Sequence, residues 1–176
     1  MSMSDNSSRY GLISRILHWG MAALLIWQFT SVAAHAFFAE TGFERFFWPT
    51  HKPVGFLLFL LIWLRILWAL VNRSRRPASV SLAATLGHIA LYGLMFAVPA
   101  AALLRQYGSG RTFEAFGLTI FEGFSGDKIE WMINIGSNFH GNLGWLLIAL
   151  AIGHIFMVVW HKHRKGSVDV LPRMWR

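Results

Sequence analysis

At 176 residues the chain has the length of one domain, yet 55% of it is hydrophobic and only 14% is charged, proportions that exclude an ordinary water-soluble fold. It contains no cysteine, which excludes disulfides, cysteine-ligated iron–sulfur clusters and covalently attached c-type haem. The net charge of +8 does not form a stripe suited to nucleic acid, because the basic residues gather at the ends of apolar stretches.

Four such stretches follow one another, and each meets the roughly 20 residues needed to cross a bilayer. The first, Ile13 to Phe37, is longer than a signal-peptide core and lacks a clear small-residue cleavage site, so it reads as a permanent helix. It carries His18 about a turn inside and His35 near its far end. His35 lies 17 residues after His18, rotated by roughly 100° from its face, and is expected to be interfacial and to point away from the column that the other intramembrane histidines face. The second stretch, His51 to Val71, opens on a histidine and places Arg65 14 residues later on the same face. The third, Leu82 to Leu104, carries His88. A long connection from Arg105 to about Gly136 reads as a structured cap, with Lys128 to Ile135 as a short interfacial helix leading into the fourth stretch, Phe139 to Trp160. The expected fold is all-α, a four-transmembrane-helix bundle forming a single membrane-embedded domain over residues 1–176.

Charge sets the expected orientation. The side shared by the two termini and the second loop carries Arg9, Arg15, Arg73, Arg75, Arg76, Lys162, Arg164, Lys165, Arg173 and Arg176 against Asp5 and Asp169. The other side is nearly balanced, so the positive-inside rule places both termini in the cytoplasm. Trp48, Trp131 and Trp175 fall near the expected interfaces, where indole rings favour the headgroup region.

Eight histidines are many for so apolar a chain, and an ionisable side chain inside a bilayer is costly enough to suggest a function. A lone intramembrane histidine is often only a cross-helix hydrogen bond, but the spacing here is ordered. His140 and His154 are 14 residues apart, on nearly one helical face and about 21 Å apart along the axis. Histidines at matching depths come from the other helices: His51 in the outer layer, His18 and His88 in the inner one. Two layers of opposed histidines suit two stacked haems. Gly55, Gly136 and Gly144, each four residues from an outer histidine, would give the outer plane room. A zinc site in the His161-Lys162-His163 tail is disfavoured, because cysteine is lacking and the intramembrane histidines lie in two separate layers. Arg65 should face the inner layer, where a buried arginine needs an anionic partner: a haem propionate first, a reduced quinone second, unless the side chain instead snorkels to the cytoplasmic headgroups.

His18-Trp19, His51 with Gly55, Leu86-Gly87-His88, the Ala-Phe-Gly-Leu-Thr run of residues 115–119, and His140 with Asn142-Leu143-Gly144 and His154 form an ordered set. Together they resemble the bacterial cytochrome b-561 family over nearly the whole chain. The resemblance implies a di-haem b cytochrome of the bacterial inner membrane that oxidises superoxide at the outer face and reduces ubiquinone near the inner face. It assigns the inner haem to His18 and His154 and the outer haem to His51 and His140. Depth alone reaches the same outer pair but leaves His18 and His88 as alternatives for the inner one. His88 and His161 then become candidates for a quinone site, His161 lying seven residues beyond His154 towards water. Lys52, Arg105 and Arg111 would draw an anion to the outer haem edge. Two further readings use the same spans: a membrane-anchor cytochrome passing electrons from a redox partner protein to quinone, and a haem-free bundle, which leaves the paired histidines unexplained.

Overall fold

The computed structural model describes residues 2–164, 166 and 168–175; Lys165 and Arg176 of the basic terminal group lie outside the described residues. The elements in chain order are α1 (Leu12–Phe37), α2 (Gly42–Phe47) with a 3-10 turn (Trp48–Thr50), α3 (His51–Val71), α4 (Leu82–Gly108), strands β1 (Phe113–Ala115) and β2 (Leu118–Phe121), α5 (Glu130–His163) and α6 (Pro172–Trp175). Four helical segments are long and apolar enough to cross a membrane, as the hydropathy pattern requires. Their outward faces are greasy: Leu64, Leu67 and Leu70 on α3 and Ile152, Ile155 and Phe156 on α5 are exposed, the arrangement lipid demands and water forbids.

The spans pack in the series α1, α3, α4, α5. α4 packs most extensively along α5, and α3 lies against both α1 and α4, whereas α1 and α5 share no comparable interface among the described residues. Met21, Leu58 and Ile62 form the core of the α1–α3 side, with Tyr92 and Met95 of α4 packed against it. The α4–α5 contact depends on glycine. A Cβ at Gly136 would lie 2.5 Å from the Ala101 carbonyl oxygen and would collide with the Arg105 side chain; one at Gly108 would lie 2.6 Å from Met132 Cβ.

Between α4 and α5 the chain forms an antiparallel hairpin whose turn, Phe116-Gly117, has φ of 54° and 76°. That left-handed geometry suits Gly117 but is unusual for a bulky residue such as Phe116. The cap expected from the sequence is therefore a hairpin, and the short helix expected over Lys128 to Ile135 is instead the first turns of one continuous α5.

The opposite end, where the two termini meet, is closed by polar bonds. Asp5 is buried, accepts from Gly11 N–H at 2.8 Å and Ser14 Oγ at 2.6 Å, and pairs with Arg76 at 3.0 Å. Tyr10 N–H donates to the Arg173 carbonyl, Trp19 Nε1 to the Met174 carbonyl and Arg173 Nη1 to the Ala78 carbonyl. The amino-terminal segment, the α3–α4 loop and α6 are thus tied together. Replacing Asp5 by alanine strands Arg76 and two donors, and unfolding in detergent should show a loss of about 1–3 kcal/mol.

Candidate haem sites

Because α5 runs unbroken from Glu130 to His163, His140 and His154 stand on one helix in two layers. In the layer near the hairpin, the His51 and His140 ring centroids are 6.0 Å apart. In the layer nearer the termini, those of His18 and His154 are 6.3 Å apart. Two metal–imidazole bonds of about 2 Å and two ring half-widths span roughly 6 Å, so either pair could grip one metal between its rings. His88 also reaches His154, at a shorter 5.5 Å. Both inner alternatives therefore lie beside the same α5 histidine.

Hydrogen bonds decide which ring nitrogen is free. His140 Nδ1–H donates to the Val98 carbonyl oxygen at 2.9 Å, leaving Nε2 as the ligating nitrogen. On His51, Nδ1 lies 2.9 Å from Ser31 Oγ, whose own proton goes to the Gln28 carbonyl, so the hydroxyl accepts from the ring. The Gln28 amide nitrogen sits 3.0 Å from Nδ1 and 3.4 Å from Nε2 while donating to the His51 carbonyl at 3.0 Å. Gln28 Oε1 is buried without a hydrogen-bond partner. The outer pair is thus oriented from both sides by the protein.

The inner pair is arranged differently. Arg65 Nη2 donates to His18 Nδ1 at 2.9 Å, and its Nε donates to the Tyr92 hydroxyl at 2.9 Å. A guanidinium has no acceptor, so Nδ1 is here the unprotonated nitrogen of a neutral ring. Ligation through Nε2 requires Arg65 to exchange this bond for another acceptor; a carboxylate would be the stronger one. Arg65 makes no ion pair among the described residues.

The glycines offered as haem room divide. Gly136 serves the α4–α5 contact, and a Cβ on Gly55 would meet Gln28 Nε2 at 3.2 Å; only Gly144 has no neighbour within 4 Å. No group of three His, Cys, Asp or Glu residues converges on one ion among the described residues.

His88, Tyr92, Thr85, Ser79 and Arg76 line a cavity of about 690 Å³ between α3 and α4, with apolar walls including Ile66, Leu70 and Phe96. His161 does not line it. Its ring is half-buried, and Nδ1 has no hydrogen-bond partner. At the hairpin end Lys52, Arg105 and Arg111 are exposed, and Lys52 Nζ reaches Gln106 Oε1 at 3.4 Å.

Sequence reasoning missed Gln28 and Ser31, polar residues one helical turn apart in an apolar span. His35 is interfacial as expected, its side chain 51% exposed, but it is not cut off from the column: its ring stacks on Trp48, which stacks in turn on His51.

Four spanning helices holding opposed histidines in two layers define a membrane protein of the cytochrome b type. The family model for prokaryotic cytochrome b561 matches residues 9–176, and the chain belongs to that family. It is 28% identical over 186 residues to cytochrome b561 homolog 2 of Escherichia coli (strain K12), covering 99% of this chain and 95% of that protein. Membership makes it a haem-binding electron-transfer protein of the membrane.

Proposed function

We propose that this chain binds two b-type haems, one between His18 and His154 and one between His51 and His140, and carries electrons from superoxide on the periplasmic side to ubiquinone near the cytoplasmic side of the inner membrane. The observation that carries the reading is the pair of imidazole separations, 6.0 and 6.3 Å, in two layers of one bundle. A haem with two histidine ligands supplies a one-electron couple and has no open position for dioxygen. Ser31 and the Val98 carbonyl fix the outer ligand tautomers, and Arg65 is the residue placed to take an inner propionate. Lys52, Arg105 and Arg111 raise the local concentration of a small anion at the hairpin end. His88, on the wall of the α3–α4 cavity, and His161, towards the terminal end of α5, are the groups that would hand protons to a quinone head. With both termini cytoplasmic, that end receives protons from the cell interior.

The test is anaerobic mixing of the purified protein with superoxide while haem absorbance is followed, with and without quinone. Pyridine haemochrome analysis should give close to two haems per chain, and superoxide should reduce them rapidly. Neutralising Lys52, Arg105 and Arg111 should slow that step, as should added salt, because steering of an anion is screened. Replacing His88 or His161 should leave it fast and slow quinone-dependent reoxidation. Material fully loaded with one haem would defeat the two-site reading.

One feature favours a second reading, in which the chain anchors a larger dehydrogenase. Phe116 and Leu118 stand exposed at the hairpin tip, 63% and 67% accessible, as a docking surface for a soluble subunit would. Slow, salt-insensitive reduction by superoxide together with a co-purifying redox subunit would make that the better account.

A further inference from the structure

A run of aromatic rings leads from the hairpin-end surface to the outer histidine pair. The His35 side chain is 51% exposed. Its ring lies 3.8 Å from that of Trp48 at an interplanar angle of 7°, close to the contact distance of about 3.5–4.0 Å between carbon atoms. Trp48 in turn stacks on His51, at 4.8 Å and 29°, and His51 faces His140. The stack is held rather than incidental. His35 Nδ1 donates to Glu44 Oε1 at 2.6 Å, the other Glu44 oxygen accepts from Glu40 N–H at 2.6 Å, and Thr41 caps the short helix that presents Glu44. Trp48 begins a 3-10 turn whose next residue is Pro49, so its backbone is stiff where it meets the ring of His51.

Headgroup anchoring explains a tryptophan at this depth. It does not explain two imidazoles stacked on one indole, one of them exposed and the other a ligand candidate. Electron tunnelling weakens steeply across gaps, and rings in contact remove them.

We propose that His35 and Trp48 form the electron-entry path of the outer site. A one-electron reductant, superoxide in the reading above, meets His35 or the exposed edge of Trp48. It gives up one electron and leaves as dioxygen, with no bond broken and no proton moved. The electron crosses the faces of Trp48 and His51 to the iron that His51 ligates. The inference rests on the two-haem reading.

The full-length protein tests it through Trp48→Leu, which removes the ring, Trp48→Phe, which keeps one, and His35→Ala. Haem content, the low-spin electron paramagnetic resonance signals and the midpoint potential of each haem are measured alongside the rate of reduction by superoxide. The leucine variant should retain both haems and both potentials and lose about tenfold in rate. The phenylalanine variant should recover most of that loss, and His35→Ala should fall between the two. Reduction of the leucine variant at the wild-type rate would overturn the inference. So would a phenylalanine variant as slow as the leucine one, or a lost outer signal or shifted outer potential that tracks the slowing, since Trp48 would then only seat His51. A wild-type protein without an outer low-spin signal would overturn the two-haem reading itself, an outcome visible before any variant is compared.

Discussion

Replacing His140 by alanine should remove one low-spin haem signal and leave the other. In the two-haem reading the layers share no ligand: the outer pair proposed is His51 with His140, the inner pair His18 with His154, and the two α5 residues stand about 21 Å apart. His140 also donates to the Val98 carbonyl beside Pro99, so the alanine variant loses one α4–α5 bond along with the ligand. That bond is worth only about 1 kcal/mol, too little to unfold the bundle. Haem content should therefore fall to about half, with the remaining signal still bis-histidine. His51→Ala should give the same spectrum. Loss of both haems from a folded protein, or of neither, would show that the layers are wrongly assigned.

Gly136→Val is expected to be the most damaging single change in the α4–α5 contact. The Cβ it introduces would sit against the Ala101 carbonyl oxygen and the Arg105 side chain, and backbone carbonyl atoms of a helix cannot step aside. Relief requires the two helices to separate along the interface that holds the bundle together. The cost should lie at the upper end of the roughly 1–3 kcal/mol seen for overpacking, read as a lowered thermal unfolding midpoint in detergent. Gly144→Val is the matched control. Nothing stands within 4 Å of that position, so the variant should fold normally, and a lowered outer haem content would mark Gly144 as part of the cofactor wall.

The spans were legible because a bilayer asks for length and hydropathy, and the histidine layers because 14 residues return a helix to nearly the same face. The start of α5 was not. Residues 130–138 include two asparagines and a glycine, which suggest a short interfacial helix set apart from the span rather than its first turns, yet Gly136 is there to let α4 approach. The hairpin was hidden by Phe116, a residue that sterics would not choose for a left-handed position. The stacking of His35 towards the column was hidden for a different reason. Rotation along one helix correctly turns it from the His18 face, but its neighbour Trp48 comes from the turn after α2, and no periodicity within α1 reports on another segment. Gln28 and Ser31 follow the same logic, since their partner His51 belongs to α3.

The place of α5 at the end of the series α1, α3, α4, α5 has a consequence for the order of events during synthesis. Both proposed ligand pairs draw one member from the last span. A chain leaving the ribosome displays His18, His51 and His88 while neither His140 nor His154 has yet been made. Three spans can insert and begin to pack, amino-terminal part first, with nothing to close either grip. On that proposal, capture of both cofactors would be a late maturation step, after α5 has docked against α4, and a chain truncated before Glu130 should reach the membrane unable to retain either one.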